Sequence, residues 1–140
     1  MANAAAKLFT SFIESEGLKF DVCNPDEEGN VVHLGYSLDN THVDIYVDFG
    51  EDNEDCHFYA TNFVTIPEDK RGIVYKLANE LNNKYRFVKF TWDEEDGSLD
   101  CKADAVIQLD SCAEEAFELV IRTTQIIDDA YPTIMKALWA

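Results

Sequence analysis

Basic residues are scarce in this chain. Eleven Lys and Arg stand against 28 Asp and Glu, a formal net charge of −17 over 140 residues. A field of that sign repels phosphate backbones and anionic bilayers, and no basic patch offsets it, so neither nucleic acid nor a membrane is an expected partner. It favours solubility and attraction to basic segments. Long apolar runs are missing too: none approaches the ~20 residues of a membrane span. The start, MANAAAKLFTSFIESEG, has no uninterrupted apolar core followed by a cleavage site, so no export signal is read. The six glycines are scattered singly, which removes any glycine loop able to cradle phosphate. The four cysteines, Cys23, Cys56, Cys101 and Cys112, contain no C-x-x-C pair. Reduced, buried thiols and a cytoplasmic protein are expected.

What is present specifies a scaffold. Hydrophobic residues make up 46% and aromatics 12%, so the chain folds despite its charge. Its length fits one domain over residues 1–140, large enough to bury roughly 68% of its unfolded surface. The first segment reads as a helix from Ala4 to Glu16, with Asn3 as N-cap, Gly17 as stop and Ala5, Leu8, Phe9, Phe12 and Ile13 on the buried face. From Leu18 to Val64 the period changes to two. Leu18, Phe20 and Val22 alternate with polar residues, then Val32, Leu34, Tyr36 and Leu38, then Val43, Ile45, Val47 and Phe49; HFYATNFV forms a fourth strand. Asp39-Asn40 is read as a two-residue hairpin because both side chains tolerate positive φ. The pattern is an antiparallel meander with one wet face.

Pro67 opens a second helix carrying a stripe of Val74, Leu77, Ala78, Leu81 and Tyr85, which Asn82-Asn83 ends. Strands follow over Arg86–Trp92 and Leu99–Ile107, joined through Asp96-Gly97. Ser111 to Glu114 fits a capping box opening a last helix. Its buried stripe is read as Ala113, Phe117, Val120, Thr124, Ile127, Tyr131, Ile134 and Leu138, widened by a second set from Ala116 to Met135. Pro132 is expected to kink or break that helix near Tyr131. The fold class is α+β, order α-β-β-β-β-α-β-β-α, a curved antiparallel sheet with helices on one face.

No constellation for chemistry emerges. Asn24 to Gly29 has acidic or amide groups at calcium-loop positions 1, 3 and 5 and a glycine at 6, but position 12 is Gly35 and the flanks are strands. His33, His42 and His57 show no zinc-ligand spacing and read as partly exposed strand residues. No glycine-flanked nucleophile turn appears. Catalytic, cofactor and metal residues are therefore assigned to none. The aromatics remain: Phe90 and Trp92 share one face of their strand, Phe87 points to the other, and Trp92, Tyr131 and Trp139 are the candidates for a partner or dimer surface.

Two stretches carry a resemblance: Val74-Tyr75-Lys76-Leu77-Ala78-Asn79-Glu80-Leu81-Asn82 and Tyr85-Arg86-Phe87-Val88-Lys89-Phe90, followed by the acidic turn ending at Gly97 and a strand leading into the long last helix. These resemble the YbjN family, described as bacterial sensory transduction regulators. The resemblance implies the fold of type III secretion chaperones, which are small, acidic, often dimeric and hold extended segments of other proteins. It implies a non-enzymatic cytoplasmic binding module, with a protein segment or a second copy as partner and no cofactor. The alternative is a small-molecule sensor or enzyme with a pocket between helices and sheet.

Overall fold

Residues 3–139 are described in a computed structural model, Asn62 by its backbone alone. Helix α1 spans Ala4–Ser15, and four strands follow: β1 Asp21–Val22, β2 Val31–Ser37, β3 His42–Phe49 and β4 Asp55–Thr65. A 3₁₀ turn at Glu68–Ile73 leads into α2, Val74–Lys84, then β5 Lys89–Asp93, β6 Ser98–Val106 and α3 Cys112–Trp139. The expected order is the observed one. All strands pair antiparallel in a six-stranded sheet, β1-β2-β3-β4-β6-β5. The inward residues of β2, β3, β4 and β6 and the apolar faces of the three helices form one core cluster. No helix among the described residues is long and apolar enough to cross a membrane.

Asn3 caps α1 as expected: its Oδ1 accepts from Ala6 N at 2.9 Å, and its Nδ2 donates to Gly50 O at 2.9 Å, tying the helix start to the β3–β4 loop. The buried face is Ala5, Ala6, Phe9 and Ile13; Leu8 is 47% exposed, a departure from the expected stripe. The helix is rolled toward α3, where the Phe12 ring packs tilted against Phe117 with centroids 5.6 Å apart.

The other departures have local causes. The second helix opens as a 3₁₀ turn, because none of its first six residues is buried and Gly72 lies among them. Strand β5 starts at Lys89 rather than Arg86. Phe87 takes φ +73° to turn the chain out of α2, so it is not on the strand opposite Phe90. Neither Asp39 nor Asn40 takes positive φ. The two residues do connect the strands as expected, with Leu38 N donating to Thr41 O at 2.7 Å across them, but without the primed-turn backbone. The α3 cap uses Glu115 instead of Glu114: its Oε1 accepts from Ser111 Oγ at 2.9 Å and Gln108 N at 3.2 Å. The buried stripe of α3 is rotated, with Cys112, Ala116, Thr123 and Ala130 inside while Ala113, Phe117 and Tyr131 are half-buried. Cys56, Cys101 and Cys112 are buried, but Cys23 is exposed because it sits on the outward side of the sheet's first edge.

Pro132 does not interrupt α3. Proline removes the N–H that would bond the Asp128 carbonyl one turn earlier. Asn40, in the β2–β3 loop, takes that place: its Nδ2 donates to Asp128 O at 3.1 Å, and its backbone N–H donates to Asp128 Oδ1 at 2.8 Å.

The free edge of β5 is closed by a side chain of α2. Asn82 Oδ1 accepts from Phe90 N at 2.6 Å, and Asn82 Nδ2 donates to Phe90 O at 3.1 Å. An amide thus occupies the pair of backbone groups at Phe90 that a seventh strand would use.

Candidate functional site: the open face of the sheet

Alternation along each strand puts one set of side chains under the helices and the other on the opposite face, which is open over β1 to β4, while Ser98 and Asp100 of that set on β6 are buried. Register then aligns the second set. Asp21 opposes His33, His33 opposes Tyr46, Tyr46 opposes Tyr59, Tyr59 opposes Lys102 and Lys102 opposes Lys89, one residue from every strand. A second row runs beside it through Val31, Asp48, His57 and Asp104.

The rings are in contact. The His33 and Tyr46 centroids are 5.0 Å apart, Tyr46 and Tyr59 stack at 5.3 Å with planes 13° apart, and His57 lies 5.4 Å from Tyr59. Cross-strand aromatic pairs of this kind add roughly 0.5–1 kcal/mol each to the sheet. Carboxylates frame them. His33 Nε2 lies 2.8 Å from Asp44 Oδ1 and its Nδ1 3.5 Å from Asp21 Oδ2; His42 Nε2 lies 3.6 Å from Asp44 Oδ1; His57 Nδ1 pairs with Asp104 Oδ1. Asp48 Oδ1 accepts from Asn30 Nδ2 at 2.6 Å. Burial, then Asp44, pushes the Tyr46 phenol up, and burial, then Asp48, does the same at Tyr59. Both stay protonated at neutral pH. Among the described residues neither hydroxyl has a protein hydrogen-bond partner.

An open depression of about 440 Å³ adjoins the second row, lined in part by Asp48, Asp55, His57 and Asp104. No group of three His, Cys, Asp or Glu side chains among the described residues is spaced to hold a metal. The calcium-like loop spends its amides on itself: Asn24 Oδ1 accepts from Val31 N at 3.1 Å, and Asn24 Nδ2 donates to Asn30 Oδ1 at 2.6 Å. Burial raises the Cys56 thiol to about 12 and pushes Cys101 up as well. The face therefore presents rings, phenol hydroxyls and carboxylate oxygens, which suit contact with cationic polar groups.

The three aromatics singled out by sequence lie elsewhere. Trp92 is half-buried, opposite Leu99 on the core side of β5, with the Arg71 guanidinium 5.6 Å from its ring centre. Tyr131 is half-buried against the core, and Trp139 is 65% exposed. Eight residues separate the latter two on α3, roughly 12 Å along its axis. Phe87, which sequence placed on a strand, is 60% exposed under the Arg122 guanidinium at 5.2 Å.

The sequence and the fold have known counterparts. The model of the YbjN family, "Putative bacterial sensory transduction regulator", matches residues 6–132. The chain belongs to that family. Its fold is similar to the crystal structure of YbjN from E. coli, "a putative transcription regulator", with a TM-score of 0.63, 15% identity and 91% of each chain covered. It is also similar to a chain of the ExsC–ExsE complex, with a TM-score of 0.53, 21% identity, and 89% of this chain and 86% of that one covered. ExsC is a type III secretion chaperone, so the expected chaperone-like fold is the observed one. No curated protein matches the chain.

Proposed function

We propose that this YbjN-family chain is a non-enzymatic, cytoplasmic protein-binding module, a chaperone-like or regulatory adaptor that holds a segment of a partner protein. One observation carries the reading: the outward face of β1 to β4 presents an aligned aromatic row framed by carboxylates. Side chains in this arrangement give a partner apolar contact, hydrogen bonds and charge together. The shared fold with ExsC, solved with ExsE, supports protein binding as the use of such a scaffold. Exposed Trp139 with half-buried Tyr131 and Trp92 supply further apolar contact for the partner or for a second copy.

The test is capture of partners from the native host at low and high salt, with hydrogen-exchange mapping of the complex on this chain. A salt-sensitive protein complex that protects the sheet or the Trp139 end is the expected result. A chain that stays monomeric and captures nothing at any salt refutes the reading.

A further inference from the structure

The carboxylates of the open face are half used. Asp44 engages His33 and His42 through Oδ1, Asp104 engages His57 through Oδ1, Asp48 engages Asn30 through Oδ1, and Asp21 engages His33 through Oδ2. The other oxygen of each has no protein partner among the described residues. Four unspent acceptors and two unpaired phenol hydroxyls thus surround the stacked Tyr46–Tyr59 pair. The positive groups beside it are Lys19, which shares a depression with Asp21 and His33, and Lys102 and Lys89 at the β6–β5 end, so the acidic part centres on Asp44, Asp48 and Asp104.

We propose that this surface docks an extended, arginine-bearing segment of a protein partner, with guanidinium groups on Asp21, Asp44, Asp48 and Asp104 and alkyl stems on Tyr46 and Tyr59. The inference rests on the protein-binding reading and deepens it. Charge selects the occupant: a chain of net charge −17 disfavours a second copy of itself and any polyanion on its most acidic sheet face, and favours a cationic segment. Geometry selects arginine. Its planar fork carries five donors, enough to bridge a carboxylate oxygen and a phenol oxygen at once, and it sheds water more readily than an ammonium. The stem of an arginine or lysine also covers ring surface that would otherwise be wet.

The probes are fluorescent oligo-arginine, oligo-lysine and oligo-glutamate peptides of equal length, read by anisotropy at low and moderate salt. Oligo-arginine should bind the parent more tightly than oligo-lysine, and oligo-glutamate should not bind. Tyr46→Ser with Tyr59→Ser, and separately Asp44→Asn with Asp48→Asn, should each weaken oligo-arginine by about tenfold or more. Glu94→Gln, Glu95→Gln and Asp96→Asn together remove three charges on the distant β5–β6 turn and should change it less than about twofold. Circular dichroism melts identify variants that fail to fold, and the Asp pair, on exposed and half-exposed side chains, is the arm that keeps its fold. The proposal is overturned if the parent binds none of the peptides, if the turn variant weakens binding as much as the Asp pair, or if the Tyr pair binds as the parent does. A native partner captured equally by the parent and by both face variants overturns this site while leaving the protein-binding reading in place.

Discussion

Asn82→Ala isolates one device that the fold depends on. The substitution deletes two hydrogen bonds, at 2.6 and 3.1 Å, to the backbone of Phe90, whose side chain is 1% exposed. Each such bond is worth about 1 kcal/mol net when water can replace part of it, which edge-strand geometry allows. Alanine returns about 0.5 kcal/mol through better helix propensity in α2. The expected loss is therefore about 1.5 kcal/mol, read as a lower midpoint in urea at unchanged slope. Amide exchange at Phe90 should accelerate more than at its neighbours in β6. The bared edge should also make self-association concentration-dependent, because two unsatisfied backbone groups invite a strand from another copy. Asn82→Asp sharpens the test. The carboxylate keeps the Phe90 N–H but faces the Phe90 carbonyl without a donor. The fold then favours the protonated form, and this variant should regain stability as pH falls below neutral. An Asn82→Ala protein as stable as the parent, with unchanged Phe90 exchange, would refute the reasoning.

Four further outcomes follow from the same geometry. In a double-mutant cycle, Asn40→Ala should cost about 1 kcal/mol with Pro132 present and measurably less in a Pro132→Ala background, where the helix supplies its own donor to Asp128; equal costs would show that the latch is not coupled to the proline. Thiol titration should find one reactive group, Cys23, in the native protein and four after denaturation; two or fewer after denaturation would mean bridges. Gly97, at φ +64°, has room for a Cβ only 2.7 Å from Arg71 Nη2, so Gly97→Val should cost about 1 kcal/mol or more while Glu95→Gln is near neutral, and equal melts would contradict the turn. Burial, then the 2.5 Å hydrogen bond to Asp129, raises the Tyr85 phenol from 10.0 to about 12; its contribution is complete below the lower value and lost as pH rises toward the upper, so Tyr85→Phe should flatten that part of the alkaline stability profile.

The elements were legible where periodicity and termination signals agreed. The run from Val43 to Phe49 alternates without a fault and forms β3 over His42–Phe49 with those four residues buried. Asn3 and Gly17 bracket α1 because capping and left-handed exit are local requirements that a few residues meet. Illegible features are those settled by a distant partner. Leu8 and Ala6 both satisfy a helical stripe, and the position of α3 decides which is buried. Pro132 is a breaker by every local rule, yet a loop residue 92 positions earlier satisfies the carbonyl it orphans. Asn82 reads as a poor helix former near a helix end, and its value lies in a strand edge eight residues on.

The open face escaped sequence reading for a related reason. Period two announces that His33, Tyr46, His57 and Tyr59 point away from the core, but a one-residue change of pairing between strands would scatter them. Only the register His33↔Tyr46↔Tyr59 turns three separated outward rings into one stack and brings Asp44 and Asp48 to its flanks. That register is imposed from the other side of the sheet, where Leu34 must oppose Ile45, and Val47 must oppose Phe58, under the helices. The core thus writes the surface: packing that excludes water on one face fixes, residue for residue, which rings and carboxylates meet on the other. The outward positions are then free to vary in chemistry without disturbing the fold, so a scaffold shared with ExsC at 21% identity can carry a different recognition face. Recognition in this chain is accordingly sought in the exposed outward carboxylates of β1 to β4, where substitutions should move binding and leave the melt nearly in place.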